Sequence, residues 1–296
     1  MPTTPPAPTT PPVIVVTGAT GNVGRALVEQ LAAEQTPIRA LTRAPERAGL
    51  PETVDVSRLD LSGDRPRPAD LAPLFEGASG LFLHLQAAGA HTAALLEAAR
   101  AGGVRHVTVL SSGIIQDGAD TTHPIHVAHA ELEAHVKESG LGHTFLRPNA
   151  FATNSFQWAP QIRAGDTVRG PFGGAVTAPI HEADIAAVAA RTLLDDGHEG
   201  AVHRLTGPEA VTTEQQIHAI GAALGRTLRF VDVPPQEVGP ELFPHVPPQM
   251  LPAILASFAE AVGAEPEITT TVETVTGKPA RTFTQWAQDH KDDFRP

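Results

Sequence analysis

Val13-Ile14-Val15-Val16-Thr17-Gly18-Ala19-Thr20-Gly21-Asn22-Val23-Gly24 is the stretch that decides the fold. Four consecutive β-branched residues suit a strand buried on both faces of a parallel sheet. Three glycines then follow at spacing three, and an amphipathic helix is expected over 22–33. Glycine is required where the chain turns tightly, where the backbone must approach phosphates, and where helix and strand pack closely. The helix start adds its N–H groups and its dipole, so the unit is built to receive an anion. The spacing is G-x-x-G-x-x-G, not the commoner G-x-G-x-x-G. Thr17, Gly18, Thr20, Gly21, Asn22, Val23 and Gly24 are therefore the expected contacts to a dinucleotide pyrophosphate. Gly21 is expected to sit at positive φ, where a β-branched side chain would be excluded.

Working outward, the second strand, Ile38-Arg39-Ala40-Leu41, ends in Thr42-Arg43. A carboxylate near this point would accept from a ribose 2′-OH. Arg43 stands there instead, with Arg47 behind it, and a guanidinium suits a 2′-phosphate in charge and fork geometry. NADP(H) is the expected cofactor. A third strand is expected at 54–61, with further strands at 81–85, 105–110 and 143–146. Helices are expected at 87–101 and 126–139, and another begins at His181. This alternation predicts an α/β, Rossmann-type doubly wound parallel sheet. Ligands in such sheets lie beyond the carboxyl ends of the strands. Those ends carry Leu83, His84 and Gln86, then Ser111 and Ser112, then Pro148, Asn149 and Phe151.

Composition narrows the function. The chain has 296 residues, a net charge of −12, and neither cysteine nor tyrosine. The negative charge argues against nucleic acid and anionic membranes as partners. Without cysteine there are no disulfides and no thiol catalysis. No 18-residue apolar run suggests a membrane span. Residues 1–12 read as a disordered tail, 13–150 as the dinucleotide-binding core, and 151–296 as a smaller substrate lobe interleaved with it in one unit. Cytoplasmic location, a small-molecule substrate and a monomer or homodimer complete the expectation. Aromatics are only 4% of the chain, so Phe151, Phe156, Trp158 and Phe172 falling close together is notable. With Asn154 they are expected either to wall a substrate pocket or to plug an open end of the sheet. The seven prolines of 230–252 predict an irregular lobe.

Several further stretches carry a resemblance: Ser139-Gly140-Leu141-Gly142-His143-Thr144-Phe145-Leu146-Arg147-Pro148, Glu182-Ala183-Asp184-Ile185-Ala186, Leu205-Thr206-Gly207-Pro208-Glu209, and Thr276-Gly277-Lys278-Pro279-Ala280-Arg281-Thr282-Phe283. With the opening turn, they resemble the NmrA-like family of atypical short-chain dehydrogenases/reductases over nearly the whole chain. The resemblance implies NAD(P)H binding. It also implies an Asp beside the adenine, either Asp60 (next to Leu61) or Asp55. The wider superfamily catalyses with Ser, Tyr and Lys. Matching the helix by its end and by the Ser-to-Tyr spacing places Ser112, Ile125 and His129 in those positions. Isoleucine transfers no proton, and the chain has no tyrosine to replace it. Imidazole titrates near neutrality, so His126 or His129 is the candidate acid among His123, His126, His129 and His135, with Ser112 polarising the substrate oxygen. Ile125 would line the pocket, His129 would also touch the cofactor, and His84 and His181 are additional pocket candidates. No metal site is expected. The function expected is NADPH-dependent reduction of a small apolar carbonyl, enone or quinone. The alternatives are a non-catalytic NADP(H) sensor, or a cofactor-fold enzyme performing isomerisation or cyclisation.

Overall fold

Parallel strands joined by helices run from Val13 onward, as the β-branched strand and glycine turn require. The computed structural model describes residues 13–63, 66–116, 118–243 and 246–296; the 1–12 tail lies outside the described residues. Strand β1 (Val13–Thr17) feeds α1 (Asn22–Ala33), β2 (Ile38–Thr42) and β3 (Asp55–Arg58). Helix α2 (Pro68–Leu71) precedes β4 (Ala78–His84), followed by α3 (Leu85–Ala88), α4 (Thr92–Gly102), β5 (His106–Leu110), α5 (Pro124–Glu138) and β6 (Gly142–Pro148). Next come α6 (Ala159–Ala164), β7 (Thr167–Gly170), β8 (Val176–Thr177), α7 (Glu182–Leu194), β9 (Val202–Leu205) and β10 (Val211–Thr212). The chain ends with α8 (Thr213–Leu224), β11 (Arg229–Asp232), α9 (Leu251–Glu260), α10 (Thr271–Thr276) and α11 (Phe283–Asp289).

The central sheet has seven strands in the order β3-β2-β1-β4-β5-β6-β9. It is parallel, with Ile14 opposite Ile38 on one side of β1 and Val16 opposite Phe82 on the other. The order reverses at β1, which places the glycine turn at the switch point where such sheets bind ligands. Two short two-stranded pairs, β10 with β8 and β11 with β7, stand outside it.

The chain divides into two compact units. One takes the chain up to Ser111 together with Ala130–Phe145 and Ala189–Val202; the other takes Ser112–His129, Leu146–Val188 and His203–Pro296. The first unit's core packs Val15, Leu41, Phe75, Leu81, Leu83, Val107, Val109 and Phe145. The second unit's core packs Trp158, Ile162, Ile217, Ile220, Phe283, Trp286 and Phe294. Two of its helices begin with Thr-x-x-Gln capping boxes, Thr212 with Gln215 and Thr282 with Gln285, in which hydroxyl and amide satisfy the orphan donors of the first turn.

Several boundaries differ from the expected ones. The helix expected at 87–101 is two helices, because Gly89 turns at φ +50° between them. The expected third strand is only four residues long, and β6 runs on to Pro148. The proline-rich stretch begins inside β11, which pairs with β7 over Arg229–Asp232. Beyond it, Pro235, Pro240 and Pro248 each open a 3₁₀ turn.

Candidate active site

In the first unit, the three glycines solve three different problems. Gly18 takes φ +61°, a left-handed conformation that strains any other residue. Gly24 lies so close to the turn that a Cβ there would run into the Gly18 carbonyl. Gly21, expected at positive φ, is extended instead (φ −80°, ψ 172°) and is the N-cap of α1. A Cβ on Gly21 would stand 3.3 Å from the Gly18 oxygen, so what glycine provides there is room. No side chain among the described residues caps α1, and its first turn carries no acidic residue. The cradle therefore fits a dinucleotide pyrophosphate: unused N–H donors, a positive dipole end and no competing carboxylate.

The other dinucleotide candidates fall into two groups. The Thr17 hydroxyl donates to the Phe82 carbonyl (2.9 Å) and accepts from the His84 N–H (3.0 Å), tying β1 to β4. Its side chain, with those of Val23 and Leu83, is buried in the core, so only backbone at these positions can meet a ligand. Ser111 is buried as well, and its hydroxyl donates at 2.7 Å to Glu133, a buried carboxylate that sequence reading left out of the site. The Ser111 hydroxyl is thus spent on a structural bond, and only backbone at this position can meet a ligand. Accessible groups remain. Thr20 Oγ1 lies 3.3 Å from Thr42 Oγ1, Asn22 and Gln86 are exposed, and Leu61 packs half-buried on the core. His84 lies against the turn, since a Cβ on Gly18 would come within 3.5 Å of its Cβ and Cγ.

Arg43 is exposed just past β2, with its carbonyl held by the Arg58 guanidinium at 2.5 Å. Asp60 is held below the usual carboxylate range by the Ser62 hydroxyl (2.7 Å) and N–H (3.0 Å), and then by the charges of Arg43 and Arg58. Asp55, the alternative, is already paired to Arg39 Nε at 2.7 Å.

In the second unit, Ser112 accepts only a long hydrogen bond, from the Ile114 N–H (3.4 Å), among the described residues. The turn after it is clamped. Gly113 N–H donates to the Pro148 carbonyl (2.8 Å), Arg147 donates to the Ile115 carbonyl (3.0 Å), and Arg204 reaches Gln116 Oε1 (3.0 Å). Arg204 was not singled out from sequence. Helix α5 opens with His123 Nδ1 accepting from the Ile125 N–H (3.2 Å), and His129 Nδ1 donates to the Ile125 carbonyl (2.8 Å). His123 Nε2 and His126 Nδ1 are buried with no hydrogen-bond partner among the described residues. Buried ring nitrogens without partners are uncommon and ask for a missing ligand or water. His135 is exposed on the same helix.

The aromatic wall expected after Pro148 is partly corrected. Trp158 is buried in the second unit's core. Phe156 packs against Trp286, His290 and Phe294 with ring centroids 5.2–5.7 Å apart. Both pack within the second unit. Phe151 forms a backbone bridge to Ile180, Asn149 N–H donates to the Leu205 carbonyl (3.1 Å), and Asn154 is exposed. Phe172 lines an open groove with Val233 and Val262.

His181, the other pocket candidate, is also buried away from solvent. It forms a network with Glu182 and His290 that was not legible in the sequence. His290 Nε2 bonds Glu182 Oε1 at 2.6 Å, Trp286 Nε1 donates to Glu182 Oε2 at 3.0 Å, and His181 Nε2 meets Asp289 at 3.3 Å. The three ligating atoms lie within 4.8 Å of one another, close enough for a metal. However, His181 Nδ1 already accepts the Ala183 N–H at 3.0 Å, so its Nε2 carries the proton and donates to Asp289. The cluster is a hydrogen-bonded brace.

A family model described as NAD(P)H-binding matches residues 18–196, beginning at the first glycine of the turn. The chain belongs to the NmrA-like family of atypical short-chain dehydrogenases/reductases. This NmrA-like chain is 36% identical over 287 residues to the (4-alkanoyl-5-oxo-2,5-dihydrofuran-3-yl)methyl phosphate reductase of Streptomyces griseus, covering 96% of the chain and all of the relative. It is 31% identical to the NAD(P)H azoreductase of Xenophilus azovorans, covering 95% of the chain and 99% of the relative. An NADPH-dependent quinone oxidoreductase from Escherichia coli, solved with NADPH, has the same fold: TM-score 0.75, 24% identity, 93% of this chain and 99% of that one. The NmrA-like chain is an NAD(P)H-dependent oxidoreductase, and no helix among its described residues is long and apolar enough to cross a membrane.

Proposed function

We propose that the protein is an NADPH-dependent reductase of a small, fairly apolar carbonyl, enone or quinone, with His126 supplying the proton. The observation that carries this reading is the partnerless, buried His126 Nδ1, one residue from Ile125 in the position of the missing tyrosine. Reduced nicotinamide, when bound, supplies hydride to an electrophilic carbon. Ser112 has a hydroxyl proton that no described group accepts, so it can donate to a substrate oxygen and polarise it. His126 then delivers the proton that completes a two-electron reduction. His129, with Nδ1 spent on the Ile125 carbonyl, acts in support. Quinones and activated alkenes need less acid assistance than simple ketones, which agrees with the lost tyrosine. Arg43 supports the choice of NADPH over NADH, and Asp60, oriented by Ser62, supports an adenine contact. The named relatives act on an acylated dihydrofuranone phosphate and on azo compounds, both by reduction.

The test is NADPH oxidation with a panel of quinones, enones and ketones, repeated for His126→Ala and His129→Ala. Loss of a positioned general acid costs roughly 10²–10⁴-fold. His126→Ala is expected to lose turnover in that range and to flatten the pH profile of kcat/KM. Full turnover in both variants removes histidine from the mechanism. Tight NADPH binding without turnover on any acceptor overturns the reductase reading.

A further inference from the structure

Phe172 has a left-handed backbone, φ +56°, which a bulky side chain rarely adopts. Such strain persists where surrounding structure imposes it, and it clusters at ligand clamps. Phe172 lines a groove of about 410 Å³, a volume suited to a small molecule. Val233, Pro234, Pro235 and Val262 supply its apolar walls, and Val262 is left 51% exposed. Among the described residues that line it, the one charged side chain is Asp232. Gly173 N–H donates to Asp232 Oδ1 at 2.9 Å and so fixes the carboxylate on the groove wall. Oδ2 accepts no hydrogen bond among the described residues. The face of a phenyl ring and a fixed carboxylate with a free oxygen share one preference, since each attracts a cation and each repels an anion.

We propose that this groove is a binding subsite for an apolar ring system bearing a positively charged nitrogen, and that Asp232 makes it reject anions. The proposal rests on the reductase reading only in taking that molecule to be the substrate. The two are tested separately. Binding of 1-naphthylmethylammonium, 1-naphthalenemethanol and 1-naphthalenesulfonate to the full chain with NADP⁺ present is followed by naphthalene fluorescence polarisation, at about 0.15 M salt to screen distant charges. The ammonium is expected to bind about fivefold or more tighter than the alcohol, with the sulfonate weakest. Asp232→Asn keeps an acceptor for Gly173 and is expected to bring ammonium and alcohol together. Phe172→Leu is expected to weaken all three.

Equal affinities in the wild type overturn the proposal. So does a preference that survives Asp232→Asn, which would then belong to the chain's net charge of −12. Absence of binding, with sedimentation showing a dimer, gives the groove to a second copy and also overturns it. NADPH oxidation with uncharged menadione reads the other claim. Turnover without charge preference removes only the groove; charge-selective binding without turnover on any acceptor removes only the reductase.

Discussion

Gly18 and Gly21 stand three residues apart in one turn, yet substitution at each should fail differently. Gly18 occupies φ +61°, so Gly18→Ala places a Cβ in a left-handed backbone at a cost of about 1–2 kcal/mol. Gly21 is extended, so Gly21→Ala meets little backbone strain and only crowds the Gly18 oxygen at 3.3 Å. Thermal melting should therefore fall for Gly18→Ala and stay near wild type for Gly21→Ala, while NADPH titration shows both weakened. A Gly21→Ala protein that melts normally and binds NADPH at full strength would leave the turn without a ligand role. Arg43 gives a second test at this scale. If it contacts a 2′-phosphate, Arg43→Ala loses a charge-assisted hydrogen bond and weakens NADPH by about 1.5–3 kcal/mol, with NADH nearly unaffected. Equal wild-type affinity for the two cofactors removes that assignment.

The elements were legible to the extent that their causes were local. Val13–Val16 and the glycine triplet read correctly as strand, turn and helix because β-branching, φ and dipole all act within a dozen residues. The edges depended on partners. β4 starts at Ala78 because Val13 pairs with it there, and β6 runs to Pro148, past the end of its apolar run. The aromatic cluster was visible as composition but not as packing, because Phe156 meets rings more than 120 residues later in the chain. Helix α5 shows the same limit. Its histidines were conspicuous in sequence, whereas nothing local marked Glu133 as buried. In the fold Glu133 is 2% exposed and accepts from Ser111, with Lys137 at 3.8 Å from its other oxygen. Glu133→Ala strands a buried hydroxyl and opens a gap. It should destabilise the protein by about 1–3 kcal/mol, and Glu133→Gln, which keeps an acceptor, by less. Denaturant midpoints decide it; a neutral Glu133→Ala would mean that Ser111 finds another partner.

On the scale of the whole molecule, the Glu182–His290 brace should leave a mark on stability against pH. Burial pushes the Glu182 carboxyl up, but hydrogen bonding at the carboxylate, that from His290 included, outweighs it and holds the group well below its ordinary value of 4.5. Burial likewise pushes the His290 imidazole down, and bonds to Glu182 and Asp293 outweigh it and raise the group above 6.5. A carboxylate with a lowered folded pKa contributes stability that is complete above its ordinary value and fades as pH falls toward the lowered one. A histidine with a raised folded pKa contributes stability that is complete below its ordinary value and fades as pH rises through the raised one. The brace is therefore worth most between about pH 4.5 and 6.5. Other carboxylates titrate on the acid side, so the difference between wild type and His290→Gln is the informative quantity. At pH 6 the variant should be less stable by about 1.5–3 kcal/mol, the worth of hydrogen bonds to a charged group. The gap should narrow as pH rises and His290 loses its proton in the wild type. Melting temperatures measured from pH 5 to 9 resolve this: a gap that stays constant across the range means that His290 contributes packing against Trp286 and Phe156, and not charge.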